Sequence, residues 1–330
     1  MYRNGRKPVL TINAMVQEVV MWRMLQCPNT ESQVKSAAIQ AYKVLRCVTP
    51  TATKYQEPIL DIDRTPHNLR LDKHINHLGA IAAKVNYGPD FELASLLYDG
   101  GFLVWRRQID LEEGIVLFSQ ALKFVPSPGD TQDDLLKSHI YLTKGRTYRS
   151  MGSNFQDKSA KCLENAWDLR KEVHKNLGPY NLSLSHRIWL FCAKADVAMA
   201  KLEGDDIATA HRLFEECLED YSSWCDEQEM PVDSAKVYYG LANCHLLRND
   251  LDFAIHYMQK GKAVLESFLP CEIAYCHLFQ HACFLQQLNE RDEALSLHEH
   301  VLEARMRHFG DRGIPTLESR QAISVIKDSI

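Results

Sequence analysis

Several signatures that would announce chemistry are missing from these 330 residues. No GxxxxGK[ST] run occurs, so nothing can build the loop whose backbone amides cradle nucleotide phosphates. HExxH and GxSxG are absent as well, which removes the common zinc-protease and serine-hydrolase arrangements. The 10 cysteines contain no CxxC pair and no regular spacing, which points to reduced thiols in a cytoplasmic setting and not to a disulfide framework. Positive charge is not in excess. The formal net charge of −5 speaks against a nucleic-acid partner, which requires a clustered basic surface. Long apolar runs are lacking too: the longest charge-free stretch, Ile273 to Asn289, holds two His and several Gln. It reads as a buried helix, so no membrane span is expected. The first residues, MYRNGRKPVLTINAMVQ, show no apolar segment of signal-peptide type.

What is present is a composition of 45% hydrophobic and 25% charged residues, typical of a globular chain, and an internal repetition. Tyr238 to Ile255 reads YYGLANCHLLRNDLDFAI, and Leu278 to Leu295 reads LFQHACFLQQLNERDEAL. Ala242 falls on Ala282, Asn249 on Asn289, Ala254 on Ala294 and Gly261 on Val301, a period of 40 residues. Each phrase is an apolar helix, a short polar turn, and a second helix that opens with an acidic and a small residue. Such a period belongs to helical-repeat units.

The residues Tyr238, Leu241-Ala242, His245 and Ala254 resemble the tetratricopeptide repeat, in which small residues let paired helices approach. That resemblance implies an all-α fold, a right-handed α-α superhelix. The same register recurs upstream. Helices are expected over Leu71–Asn86, then Phe91–Arg106 with Leu111–Phe124, Asp133–Met151 with Asp157–Asn176, and Leu182–Glu203 with Asp205–Tyr221. Their small positions are Gly114, Gly145, Ser159, Ala198 and Ala210, followed by Ala242, Ala254, Ala282 and Ala294. Spacings of 45, 51, 44 and 40 between Gly114, Ser159, Ala210, Ala254 and Ala294 exceed the common 34. The long second helices, ending in Gly178-Pro179 or Gly310-Asp311, resemble the kinesin-light-chain variety. Repeats thus span 71–312, and 313–330 forms a capping helix whose apolar face is Leu317, Ile323 and Ile326.

The first 50 residues differ from the rest. LTINAMVQEV, followed by the AxxAxxxLxxxxP-like run from Ala38 to Pro50, resembles the end of the winged-helix subdomain of STAND (NB-ARC, NLR-like) NTPases; an irregular cap is the alternative. Residues 51–70, with Pro58, Pro66, Asp61 and Asp63, read as a linker. With no phosphate loop, the STAND resemblance implies a C-terminal sensor part or a stand-alone relative, and no ATPase.

Tetratricopeptide arrays bind protein or peptide segments in the groove floored by their first helices. By register, the groove positions are His139, Leu142, Arg146 and Arg149 in the second unit and Ala195, Met199 and Leu202 in the third. Lys236, Tyr239, Asn243 and Leu246 follow in the fourth, then Cys276, Phe279, Cys283 and Gln286 in the fifth. Arg146 and Arg149 lie three apart on one helix face, so both forks can meet an acidic or C-terminal segment of a partner unless neighbouring carboxylates take them. The reading is therefore a non-enzymatic interaction scaffold without a cofactor. An enzyme or assembly factor with chemistry hidden in the groove is the runner-up.

Three other groups invite a chemical reading. Cys271, Cys276, His277, His281 and Cys283 sit close in sequence but split between two helix faces, against the paired spacing of zinc sites, so no metal is expected there. His74 and His77 with Asp72 have no nucleophile beside them. The run Glu215, Glu216, Glu219, Asp220, Asp226, Glu227 and Glu229 is a solvated edge, or else a docking patch for a basic partner.

Purified protein is expected to bind no ATP. Saturable binding at micromolar concentration, on the order of −8 kcal/mol, measured by equilibrium dialysis, would contradict the reading without a phosphate loop.

Overall fold

The computed structural model describes residues 71–328 except 85, 109, 127–129, 179–182, 225–230 and 267–271, together with Ser36, residues 41–43 and Leu45. The LTINAMVQEV stretch and the linker 51–70 lie outside these residues, as do Asp226, Glu227, Glu229 and Cys271. Of the Ala38–Pro50 run, residues 41–43 and Leu45 are helical. The described chain is all helix, and no strand occurs among the described residues. It runs α1 (Leu71–Lys84), α2 (Phe91–Arg107), α3 (Leu111–Phe124), α4 (Thr131–Ser150), α5 (Gln156–Leu177) and α6 (Leu184–Glu203). Then follow α7 (Ile207–Trp224), α8 (Pro231–Leu247), α9 (Leu251–Glu266), α10 (Glu272–Gln287), α11 (Arg291–Phe309) and α12 (Ile314–Asp328). Helices pack as hairpins α2/α3, α4/α5, α6/α7, α8/α9 and α10/α11, and each hairpin stacks on the next. This is the helical-repeat solenoid that the repetition implies.

The turns explain why the sequence repeats where it does. Asp205, Asn249 and Asn289 take the left-handed backbone conformation, with φ of 62°, 63° and 65°. The next amides, of Asp206, Asp250 and Glu290, donate back to the carbonyls of Lys201, His245 and Leu285 at 2.9 Å each. That is the Schellman closure of a helix end. The same three residues open the following helix, their carbonyls accepting from Ala210, Ala254 and Ala294 at 3.0, 3.1 and 3.0 Å. One residue therefore ends the first helix and begins the second. Asn and Asp suit the preceding position because their short polar side chains tolerate the left-handed region. Elsewhere Asp90, Asp110, Asp130 and Ser183 cap α2, α3, α4 and α6 by accepting a backbone N–H.

The small positions lie at helix contacts. Ala198, Ala210, Ala242, Ala254, Ala282 and Ala294 are fully buried, and Gly114 and Gly145 are buried too. At Gly145 a Cβ would sit 2.7 Å from the Leu163 side chain, so a larger residue must displace that side chain. Gly240, outside the repeat pattern, is tighter still: a Cβ would meet the Phe214 ring at 2.2 Å. Apolar residues collect in three cores, along α1–α4, α4–α8 and α8–α12. α4 and α8 each serve two of them. Val237, Leu241 and Cys244 of α8 face one core, while Ala235, Tyr239 and Ala242 face the next.

One expectation about the last helix is corrected. Leu317 is half exposed, and α12 seats Pro315, Thr316, Ser319, Ile323 and Ile326 instead. The reason is polar. Arg305 of α11 donates to the Pro315 carbonyl at 2.8 Å and to Ser319 Oγ at 3.0 Å, and Thr316 Oγ1 donates to the Gly310 carbonyl at 2.8 Å. These bonds fix the rotation of α12 and turn Leu317 outward. No described helix is long and apolar enough to cross a membrane.

Ala254→Arg must overpack a closed helix contact and bury a charge, and is expected to lower stability by roughly 3 kcal/mol or more. Glu266→Ala, at the exposed end of α9, is expected to change it by less than about 0.5 kcal/mol. Thermal unfolding followed by circular dichroism compares the two; equal small shifts would contradict the repeat register.

Candidate functional site

The first helices of the second, third and fourth units bring their charged side chains to one buried carboxylate, Asp196 of α6, whose side chain has no exposed surface. From α4, Arg146 places Nη2 2.6 Å and Nε 2.7 Å from Asp196 Oδ2, a two-point contact to a single oxygen. Arg149, one turn on, reaches Oδ1 at 3.4 Å and Glu203 at 3.8 Å. From α8, Lys236 donates to the same Oδ1. Burial alone would raise the pKa of Asp196; the three cations outweigh it and hold the carboxyl well below its usual range. Lys236 is pushed down by burial and by the two guanidinium groups, against the pull of Asp196. Glu203 is raised by burial.

The Arg146–Arg149 pair, expected to offer two open forks to a partner, is thus turned inward. Its carboxylates come from the neighbouring unit of the same chain, so the pair is no free basic spot. Side-chain exposure falls from 28% at Arg149 to 19% at Arg146 and 10% at Lys236, so Arg149 is the member with unused donor capacity at the surface.

Around this cluster lies an aromatic wall. Arg146 sits over Trp105 at 6.0 Å. His139 packs edge-on against Trp189 at 4.3 Å and lies 6.0 Å from Tyr98. Tyr98 meets Thr143 at 3.4 Å between hydroxyl oxygens, and its pKa is pushed up to about 12 by burial. Burial, with Arg170 and Arg146 adding to it, keeps His139 neutral. Arg170 of α5, only 4% exposed, packs beside Trp189 with no ion-pair partner among the described residues, and burial lowers its pKa to about 10.

The remaining expected groove residues divide. Leu142, Ala195, Met199, Leu202 and Tyr239 are buried in the cores and present little surface. The register assigned them correctly to first helices, but neighbouring hairpins cover them. Asn243, Phe279 and Gln286 are half-buried on α8 and α10. Phe279 is covered by the Arg305 guanidinium at 4.0 Å.

Among the described residues no group of three or more metal-ligating side chains occurs. His277 and His281 point to different neighbours, Gln280 and Tyr239, and burial lowers both to about 4. The acidic edge on α7 is partly paired within the chain: Lys194 contacts Asp220 at 2.6 Å and Glu216 at 3.6 Å.

Asp196, Trp105, Trp189 and Arg170 were not singled out by sequence reasoning. Asp196 has a signal, a lone acid in the small-residue run LFCAKADVAMAKL. The other three have none.

No protein-family model matches the chain, and no curated protein matches it. Solved structures do. A Rap protein in complex with competence and sporulation factor aligns with a TM-score of 0.51 at 14% identity, covering 91% of this chain and 90% of that one. Aspartyl phosphate phosphatase F from Bacillus subtilis aligns with a TM-score of 0.46 at 16% identity, covering 96% of this chain and 78% of that one. The first likeness shows a shared helical-repeat fold.

Asp196→Asn leaves three cations around a neutral amide and is expected to cost roughly 3–5 kcal/mol. Because the folded-state pKa of Asp196 is depressed, its contribution is fully present above the unfolded-state value near pH ~4, begins to fall there, and is lost only as pH passes down through the folded-state value. Denaturant midpoints of wild type and variant at pH 7 and pH 3 check this: the gap between them should narrow at the lower pH.

Proposed function

We propose that the chain is a non-enzymatic interaction module that takes a protein or peptide segment along the face formed by α4, α6 and α8. The observation that carries this reading is the Asp196 cluster. Three successive units spend charged residues on a single buried carboxylate, an arrangement that seldom adds net stability over an apolar core. Its use is positional. It fixes the relative placement of three helices and leaves Arg149 partly open at the surface, with Asn243 further along as a second polar contact. A partner's acidic side chain or terminal carboxylate is suited to Arg149, which still has N–H groups to donate.

Further support comes from the fold likeness to a Rap protein solved with competence and sporulation factor, which makes segment binding a natural use of this solenoid. Reduced, irregularly spaced cysteines support a cytoplasmic setting. Placement within a STAND-like system rests on the LTINAMVQEV resemblance alone.

Arg149→Gln combined with Asn243→Ala removes the two open polar contacts and leaves Arg146, Lys236 and Asp196 in place. Capture from native extract, read by mass spectrometry, should lose the partners of the wild type at unchanged helicity. The same partners on both proteins would move recognition elsewhere, to the acidic edge of α7 at Glu215 and Glu219.

A further inference from the structure

Asp196 takes up the charge of its three neighbours, but one buried cation close by is left over. Arg170 stands on α5, outside the helices that floor the groove, and only 4% of it is exposed. Among the described residues it has no carboxylate partner and donates no hydrogen bond, and its Nη2 is fully enclosed. Tyr98 and Cys192 act on it electrostatically, and both are neutral at pH 7 because burial raises their pKa values. Nor does an aromatic face take the charge closely. The Arg305 guanidinium lies 4.0 Å from the Phe279 ring centre, whereas Arg170 keeps 5.8 Å from that of Trp189. The looser contact leaves its N–H edges unused. A buried charge in this position is costly unless something opposes it. Water would accept from the N–H groups but would bring no charge.

A second unused group belongs to the same wall. Nδ1 of His139, on α4, is enclosed and has no hydrogen-bond partner. After burial, Arg170 is the strongest influence on that ring, and Trp189 lies against both, 4.3 Å from His139 and edge-on to it. A neutral imidazole carries one N–H that can serve the same acceptor. The other cationic and imidazole groups nearby are engaged. Arg146 is held by Asp196, and His186 Nδ1 lies 2.6 Å from Ser183 Oγ. Trp189 and His186 are half-buried, so the edge of the wall meets solvent along α6.

We propose that Arg170, with His139 and Trp189, forms a binding site for a single carboxylate group, borne by a small organic acid or by the end of a peptide. The guanidinium fork offers two parallel N–H bonds to the two carboxylate oxygens, and its one charge balances theirs. A phosphate brings more charge and more acceptors than one fork and a neutral ring can meet. The site is separate from the Arg149 contact and does not rest on it, so either can fail while the other stands.

The full chain is titrated with acetate by calorimetry, at an ionic strength held constant with chloride, and inorganic phosphate is compared. One equivalent of acetate should bind saturably, and phosphate should bind at least tenfold more weakly. Arg170→Met keeps much of the stem, removes charge and donors, and should abolish binding; His139→Phe should weaken it at least tenfold. Arg212→Gln, at an exposed arginine of α7, should leave it unchanged. N-acetyl-tetra-alanine with a free or an amidated end identifies the bearer. A free form that binds more tightly than acetate assigns a peptide terminus, and binding of acetate alone assigns a small acid. No saturable binding to the wild type, phosphate bound as tightly as acetate, or undiminished binding by Arg170→Met would overturn the proposal. Should Arg170→Met fail to fold, fluorescence answers the same question. Acetate should change the tryptophan emission of the wild type saturably, and a change that persists in Trp189→Phe would overturn the site.

Discussion

In the α6/α7, α8/α9 and α10/α11 hairpins the first helix reverses into its second across three residues, and the packing there is indexed to how that is done. A left-handed residue ends one helix, and the acid after it both closes that helix and opens the next. The following interior position is then fixed, four residues on, and always meets the facing helix closely. That is why Ala210, Ala254 and Ala294 recur behind Asp206, Asp250 and Glu290. With the turn set, the hairpin angle is set, and the apolar residues of each helix have one place to go. The polar turn thus governs the apolar core, although it buries almost nothing itself.

The second dependence is electrostatic. In the middle of the stack the second, third and fourth units are joined by charges as well as by apolar packing. A carboxylate without exposed surface is tolerable only because three cations reach it. This exchanges some stability for definition, because Asp196 can be satisfied only when α4, α6 and α8 all occupy their places. Arg305 applies the same device at the far end, where guanidinium hydrogen bonds and not apolar contact decide how α12 is turned.

Helix boundaries were legible because capping chemistry and breakers are local. Leu111–Phe124 is both the expected and the observed extent of α3, with Asp110 before it and the Pro126 turn beyond. The small positions were legible because the turn repeats them. The destination of a charge was not. Arg146 announced a direction on its helix through its spacing from Arg149, but its counter-ion lies 50 residues away. Only the stacking of two hairpins brings them together. Leu317 misled for the same reason: an amphipathic stripe says which face is apolar, while long-range hydrogen bonds from Arg305 chose the face that is buried. Met199, Leu202 and Tyr239 were placed on the correct helices, but whether a first-helix residue lines a groove or a core depends on the cover given by the next unit.

The sharing of α4 and α8 between cores carries a mechanical consequence. A solenoid multiplies small rotations: a tilt of a degree or so at one seam is carried outward by every unit stacked beyond it. α4 is the inner wall of the block before the charge cluster, and α8 is the inner wall of the block after it. Both walls are gripped by the same carboxylate. Anything that loosens or tightens that grip acts at the fulcrum of a long lever, so an adjustment too small to disturb local packing is read out as a swing of the two ends.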